Sequence, residues 1–97
     1  MTFTVLIDEL VFSEDFRRID HKDQQRIIRA IRQKLVIDPE GYGSPLKGPF
    51  KGFWKLRVGE FRVVYSIDKG KVEVYVIAAG FRRNEEVYRE AAKRLTG

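Results

Sequence analysis

FWKLRVGEFRVVY, residues 53–65, consists of two alternating half-strands joined at Gly59-Glu60. A two-residue loop with glycine at its first position suits a type II′ turn, so this stretch predicts a β-hairpin. The predicted register pairs Val58 with Phe61, Arg57 with Arg62, Leu56 with Val63, and Trp54 with Tyr65. Because side chains alternate along a strand, the apolar members of these pairs share one face.

The opposite face of the hairpin is basic. It receives Lys55, Arg57 and Arg62, and the two arginines stand directly opposite one another. Like charges in this arrangement repel. The cluster therefore predicts a surface that is presented to an anionic partner, and the alternative is a pair of exposed arginines that splay into solvent.

Composition limits the class of protein. The 97 residues suit one domain, spanning residues 1–97, with a single core. The chain has no cysteine, which excludes disulfides, a thiol nucleophile and thiolate metal sites, and is compatible with a reducing cytoplasm. The amino terminus resembles neither a signal peptide nor a membrane anchor, so we expect a cytoplasmic protein without a membrane partner.

The net charge of +5 is unevenly distributed. Residues 1–48 contain eight acidic and eight basic side chains, whereas residues 49–97 contain six acidic and eleven basic ones. A localised basic excess is typical of proteins that bind nucleic acids. The alternative is that the charge serves solubility alone.

The first half of the chain predicts a strand, two helices and a long loop. Thr2 to Asp8 alternates like a strand, and Ser13 and Asp20 are candidate N-caps of successive helices. Asp38-Pro39 ends the second helix. The segment from residue 40 to residue 52 is rich in glycine and proline, which predicts a loop.

After the hairpin, a two-residue turn at Lys69-Gly70 is predicted to lead into a fourth strand, residues 71–77. Asn84 is then expected to cap a last helix, residues 85–95, and the side chains expected to face inward are Val87, Ala91 and Leu95. The order β-α-α-β-β-β-α predicts an α+β fold. We expect a mainly antiparallel four-stranded sheet with the helices packed on one face and the basic residues on the other.

Two runs carry a family resemblance: LKG…WKLRVGEFRVVYSI, within residues 46–67, and VIAAGFRRNEEVYREAAKRL, residues 76–95. In order and spacing they resemble the RelE branch of the RelE/ParE superfamily of bacterial and archaeal toxins. The resemblance covers nearly the whole chain. It implies the toxin of a type II toxin-antitoxin module, a RelE-like fold, and a ribosome-dependent endoribonuclease that cuts mRNA in the ribosomal A site.

The resemblance also implies the site residues and partners. The catalytic set falls on Lys55, Arg62, Arg82 and Tyr88, and the substrate-binding set on Lys51, Arg57 and Arg83. No metal or cofactor is implied. Phe53 stands where well-studied members have a further lysine, and Lys51 is the candidate to supply that charge from the loop. The implied partners are a cognate antitoxin, the ribosome and mRNA.

RNA cleavage by 2′-hydroxyl attack needs a base, stabilisation of the phosphorane and protonation of the departing 5′-oxygen. Tyr88 is the better candidate base, because His21 lies far along the chain from the basic cluster. Nearby cations favour the phenolate of a tyrosine. The family resemblance places leaving-group protonation on Arg82.

Simpler interpretations stay open for each residue. Tyr88 alternatively packs in the core, Arg82 and Arg83 pair with Glu85 and Glu86, and the hairpin cations only dock RNA or antitoxin. The rival functions are a ParE-like toxin that acts on DNA gyrase without cleaving anything, and a catalytically silent protein that binds antitoxin or RNA. We expect an acidic, partly disordered antitoxin segment to cover the basic face or to displace the last helix.

Overall fold

The computed structural model describes residues 2–96, which form five strands and four α-helices. The strands are β1 (Thr4–Ile7), β2 (Ser44–Pro45), β3 (Phe53–Val58), β4 (Phe61–Asp68) and β5 (Glu73–Phe81). The α-helices are α1 (Glu9–Ser13), α2 (His21–Ala30), α3 (Pro39–Tyr42) and α4 (Glu86–Thr96). A π-helical turn, Ile31–Leu35, prolongs α2, and 3₁₀ turns occupy Asp15–Arg18, Gly48–Phe50 and Arg83–Glu85. Within this part of the chain, no helix combines the length and apolar content needed to cross a bilayer.

The strands form one sheet in the order β1-β5-β4-β3-β2. β1 runs parallel to β5, and the other neighbours are antiparallel, which confirms the predicted α+β class. The sheet has five strands instead of the four expected. The additional strand is the two-residue β2, which pairs Ser44 with Lys55 and Pro45 with Trp54 at the sheet edge. An edge is where a sheet accepts proline, and the proline signal had favoured a loop there.

The hairpin register is confirmed at every predicted pair, from Val58 with Phe61 to Trp54 with Tyr65. Gly59 has a φ of +59°, as the first position of a type II′ turn requires. A Cβ at this glycine would also lie 2.6 Å from Nη2 of Arg26 on α2. The turn therefore depends on glycine for its backbone conformation, whereas the exposed Arg26 side chain could move aside for a larger residue.

One face of the sheet packs against α1, α2 and the turns that follow them. This first core contains Leu56, Val58, Phe61, Val63 and Tyr65 from the hairpin, with Val11, Phe16, Ile27 and Leu35 from the helical layer. Trp54 packs against the same cluster, as expected. The hydroxyl of buried Tyr65 donates to the carbonyl of Pro39 at 2.6 Å, which ties the loop after α2 to the core.

Helix α4 packs on the other face of the sheet, which corrects the prediction that all helices share one face. Its buried residues Val87 and Ala91 meet Val64, Ile77 and Ala78 in a second core. Val64 follows Val63 directly, so successive residues of β4 are buried on opposite sides. A register irregularity at Val64/Tyr65, with Ile77 as the extra residue of β5, adds apolar surface to this face.

The predicted two-residue turn at Lys69-Gly70 is wrong. Asp68 pairs with Glu73, so four residues form the loop, and Val72 has a φ of +55° outside the strand. The Asp68 carboxylate accepts a bond from the N–H of Lys71 at 3.1 Å and closes this longer loop. Since the loop is longer by an even number of residues, Val74 and Val76 still face the first core.

The first helix begins earlier than predicted. Asp8 is its N-cap, and its side chain accepts from the N–H of Leu10 at 2.8 Å. Ser13 is the last residue of α1 and caps nothing. Asp20 does occupy the N-cap position of α2, although its side chain makes no capping bond.

The last helix begins at Glu86 and is not capped by Asn84. Asn84 and Glu85 have φ values of +55° and +57°, in the left-handed region that residues other than glycine rarely adopt. Val87 and Ala91 face inward as predicted, whereas Leu95 is 40% exposed. Helix α4 thus packs on the sheet through Val87 and Ala91, whereas the Leu95 side chain near its carboxyl end is partly open.

Candidate active site

The basic residues of the hairpin share their face with α4. Lys55 stands opposite Val64 in the register, and Val64 lies in the core beneath α4. Arg62 is the diagonal neighbour of Lys55, a separation within reach of long side chains. The sequence did not predict that α4 packs on this face. This placement brings the last helix to the basic cluster.

Tyr88 lies in the first turn of α4, half-buried against the second core. Its ring centroid is 6.0 Å from that of Phe50, which belongs to the 3₁₀ turn of the long loop. The packing interpretation of Tyr88 holds, and the charges of Arg62 and Arg82 also act on its phenol.

The pKa of the Tyr88 phenol is raised above its usual value, chiefly because burial disfavours the phenolate. The positive charges of Arg62 and Arg82 act in the opposite direction, and Glu85 adds to the rise. The expectation that cations favour the phenolate is therefore correct for their individual effects. Their sum is outweighed by burial, so Tyr88 is a protonated phenol at neutral pH in the free protein.

Arg62 is held at the hairpin turn by its own backbone surroundings. Nη1 donates to the carbonyls of Gly59 at 2.9 Å and Phe61 at 2.8 Å. Across the sheet Arg62 faces Gly80, and a Cβ at Gly80 would lie 3.6 Å from Cβ of Val87 on α4. Val87 of α4 therefore lies directly over the strand position beside Arg62.

Arg82 follows β5 directly and is exposed. Its backbone N–H donates to the carbonyl of Glu60 at 3.0 Å, so the end of β5 is fixed to the hairpin turn. Arg83 is occupied elsewhere: its guanidinium stacks on the Phe81 ring at 4.1 Å and pairs with Glu86 at 3.5 Å. The structure therefore favours the pairing alternative for Arg83.

The turn between β5 and α4 is strained where it borders the site. Two consecutive left-handed residues, Asn84 and Glu85, reverse the chain so that α4 returns over the sheet. Each conformation of this kind costs about 1–3 kcal/mol when a residue other than glycine adopts it, and such residues cluster at functional sites. Asn84 is the better suited of the two, since asparagine tolerates this region.

The loop before the hairpin and the first residue of β3 contribute apolar contacts to the site face, and sequence reasoning missed the contact from Phe50. Phe50 and Phe53 both pack against the second core on the side of Tyr88. Phe53 thus occupies part of the site face, and exposed Lys51 adjoins Phe50. The signal for Phe50 was its place after Gly48-Pro49, where a turn can direct a side chain back to the sheet.

A second basic surface lies at the outer end of the hairpin. Its lining includes Arg57 and three cationic residues from the α2 region, Arg26, Arg29 and Lys34, with no carboxylate. We call this the α2–hairpin groove. Arg57 lines this groove and is thereby the residue that links it to the cluster around Arg62.

His21 is exposed at the start of α2, on the layer that packs against the first core, and takes no part in the basic cluster. Between Thr2 and Thr96, no group of three or more histidine, aspartate and glutamate residues is arranged to hold a metal ion. Among the predicted site residues, Arg62 and Arg82 act electrostatically on Tyr88, and Lys55 lies on the same face as Arg62.

Known proteins resemble this chain in both sequence and fold. A family model described as the ParE toxin of the type II toxin-antitoxin system parDE matches residues 10–85. Toxin RelE from Mycobacterium tuberculosis is 32% identical over 77 residues, which are 74% of this chain and 79% of that protein. The chain belongs to the RelE/ParE toxin superfamily. Within the superfamily it is RelE-like.

Further relatives support the RelE side of the superfamily. The mRNA interferase toxin RelE of Escherichia coli is 49% identical over 41 residues, 42% of this chain and 43% of that protein. A structure of E. coli RelE in the free state, with two arginines replaced by alanine, aligns with this chain with a TM-score of 0.71 at 29% identity. The alignment covers 98% of this chain and 99% of that one.

Two solved complexes have the same fold. The toxin-antitoxin complex RelBE2 from M. tuberculosis aligns with a TM-score of 0.78 at 21% identity, over 84% of this chain and 100% of that one. The same E. coli RelE double variant, bound to a peptide of the antitoxin RelB, aligns with a TM-score of 0.65 at 28% identity, over 97% and 98%. The first similarity shows the fold alone.

Proposed function

We propose that this protein is a cytoplasmic toxin that cleaves mRNA in the ribosomal A site and so inhibits translation. The observation that carries the proposal is the position of Tyr88 on the basic face, beside Arg62 and Arg82. Support also comes from its RelE-like family membership, because a relative is named an mRNA interferase. A surface that only binds anions needs cations, and it does not need a tyrosine such as Tyr88 packed beside them.

The proposed reaction begins with attack of the 2′-hydroxyl on the adjacent phosphorus. Tyr88 takes the hydroxyl proton, the bond from phosphorus to the 5′-oxygen breaks, and Arg82 protonates that oxygen. The products are a 2′,3′-cyclic phosphate and a 5′-hydroxyl. Since Tyr88 is protonated in the free protein, its base form is a minor population that the neighbouring cations enlarge.

Lys55, Arg62 and Arg82 serve to stabilise the charge of the phosphorane. Arg62 is suited to this because its Nη1 is anchored to the turn, which orients the remaining donors of the guanidinium. Lysine and arginine side chains have no lone pair to offer a metal ion, so the reaction is proposed to need neither metal nor cofactor. Phe53, where relatives carry lysine, lowers the local charge, and Lys51 on the adjoining loop compensates.

The site lies on an open surface, which explains a need for the ribosome to present the substrate. The α2–hairpin groove is proposed to contact phosphates of RNA, because four cationic residues meet there without a carboxylate. Contacts to phosphates position a protein without reading sequence. Arg57 joins this docking surface to the reacting centre, and this is its proposed substrate-binding role.

A cognate antitoxin is the proposed second partner. A solved relative binds an antitoxin peptide. In this chain we expect an acidic, partly disordered segment to cover Lys55, Arg57 and Arg62 or to displace α4, because the excess positive charge lies there. Hydrogen exchange of the complex checks this: protection should appear in the hairpin or α4, and protection confined to the outer surface of α2 would contradict it.

The deciding experiment compares translation and DNA supercoiling with the same purified protein. We expect mRNA on programmed ribosomes to be cut within the A-site codon, leaving a cyclic phosphate, while gyrase activity is unchanged. Inhibited gyrase with intact mRNA would support a ParE-like toxin instead, in keeping with the name of the matching family model. Loss of neither activity would indicate a catalytically silent binding protein.

A further inference from the structure

A buried ion pair joins α4 to the start of the helical layer. Nη1 and Nη2 of Arg94 donate to Oδ2 and Oδ1 of Asp15, each at 2.8 Å. The side chains of Arg94 and Asp15 are only 8% and 4% exposed. We call these two parallel hydrogen bonds the fork. They fix the direction of the Arg94 side chain as well as its distance from Asp15, because the guanidinium is planar.

The pair occupies a gap in the sheet. β1 pairs with β5 only as far as Val76, so the edge of β5 beyond that residue lacks a neighbouring strand. Arg94 donates to the carbonyl of Ile77 at 2.7 Å, and Asp15 accepts from the N–H of Ala79 at 2.9 Å. Arg94 and Asp15 therefore satisfy the backbone groups that the short β1 leaves unpaired.

The remaining contacts of α4 with the sheet are apolar. Val87 and Ala91 form a ridge on the second core and Tyr88 packs beside it, and apolar contacts of this kind are not directional. Arg94 follows Tyr88 by six positions, about 9 Å along the axis and about two-thirds of a turn away in direction. Tyr88 and Arg94 thus point to different sides of α4, so fixing one sets the direction of the other.

We infer that Arg94, through its fork with Asp15, is a positioning residue that holds Tyr88 over Arg62 and Arg82. This inference rests on the proposed function, since Tyr88 is the proposed base. Arg94 itself touches no part of the basic cluster. Its effect on cleavage is transmitted by the orientation of α4, and the packing of Tyr88 against Phe50 reports that orientation.

The test uses Arg94→Met, which keeps most of the side-chain volume and removes the fork, with Lys93→Met as the matched control. Lys93 carries the same charge at the adjacent position, but it is exposed, and within residues 2–96 its ion pair is with Glu90 at 3.1 Å. At a temperature where all variants are folded, single-turnover cleavage on programmed ribosomes should slow by about 10- to 100-fold in Arg94→Met, the effect of a misplaced group. Lys93→Met should stay within about twofold of wild type.

A double-variant comparison separates positioning from general damage. In a Tyr88→Phe background, Arg94→Met should cost less than about twofold, because the group that it positions is already gone. Nuclear Overhauser contacts between the Phe50 and Tyr88 rings should weaken in Arg94→Met and persist in Lys93→Met. Arg94→Lys keeps the charge but cannot form the fork, so its cleavage rate should fall between those of wild type and Arg94→Met. It replaces Arg94→Met in the test if that variant folds poorly.

Three results would overturn the inference: wild-type cleavage in Arg94→Met, an equal slowing in both backgrounds, or ring contacts that are unchanged. Full activity of Tyr88→Phe would refute the proposed base and not the inference. In that case the ring contacts alone decide whether Arg94 orients α4.

Discussion

The two faces of the sheet differ in how they are held. The first core combines large branched and aromatic side chains, among them Phe16, Leu35 and Phe61. The second core has five buried residues, two of which are alanines. Because apolar stabilisation grows with the area buried, α4 gains less from packing and depends more on directional bonds. The face with the candidate site is thus the less strongly packed one, where function is commonly located.

The largest expected effect separates packing from chemistry on the second face. Tyr88→Phe retains the ring and its contact with Phe50 but removes the ionisable oxygen. Single-turnover cleavage should slow by about a hundredfold or more, as for loss of a general base, with little change in melting temperature. Tyr42→Phe, at an exposed tyrosine on α3, is the control. A Tyr88→Phe rate within about threefold of wild type would remove this tyrosine from the mechanism.

The next effect concerns the basic cluster. Arg62→Ala should abolish growth inhibition, since one lost charge-stabilising donor costs about 10²–10³ in rate. The fold should stay intact or become slightly more stable, because the cross-strand contact with Arg57 is a repulsion. Growth curves at matched expression and thermal melts measure both, and Arg17→Ala is the exposed control. Undiminished toxicity would argue against a catalytic or RNA-docking role for this face.

A stability pair sharpens the contrast between the faces. Leu35→Ala, at a fully buried position of the first core, should lower the free energy of unfolding by about 2–5 kcal/mol. Leu95→Ala makes the same change at a residue of α4 that is 40% exposed and should stay within about 0.5 kcal/mol. Urea unfolding of both variants provides the comparison. Equal losses would mean that the carboxyl end of α4 is packed as firmly as the first core.

The last expected effect is a pH dependence, which is smallest for a change of one pH unit. Burial raises the pKa of Tyr88, so the phenolate fraction, and with it the cleavage rate, should grow about tenfold for each pH unit above neutral. No plateau is expected below about pH 10, the ordinary tyrosine pKa. In Tyr88→Phe this slope should disappear. A wild-type plateau near pH 7 would instead indicate a base with a lower pKa.

The hairpin was predictable because its signals are local. Alternation, the position of Gly59 and the apolar pairs all agree, and the observed register matches each predicted pair. The start of α1 and the loop at residues 69–72 could not be predicted from local signals of this kind. At both, an aspartate side chain bonds a backbone N–H nearby, Asp8 to Leu10 and Asp68 to Lys71, and several residues in each segment could have played that part.

The placement of α4 required information from both ends of the chain. The uninterrupted apolar run of residues 76–79 was a signal that β5 is buried on both faces. The fork from Arg94 to Asp15 joins residues that no local pattern relates. The candidate catalytic residues could therefore be predicted as neighbours only through the family resemblance, and the raised pKa of Tyr88 needed the packed structure.

The parallel pairing of β1 with β5 sets an order of events during synthesis. Thr4 is made long before its partner Glu73. Since proteins fold from the amino terminus as they are translated, β1 waits without its neighbour until β5 has been made. Tyr88 and Arg94 are added later still. A nascent chain that has not reached Tyr88 thus has no candidate site, and β1 and the candidate site both depend on residues made after the hairpin.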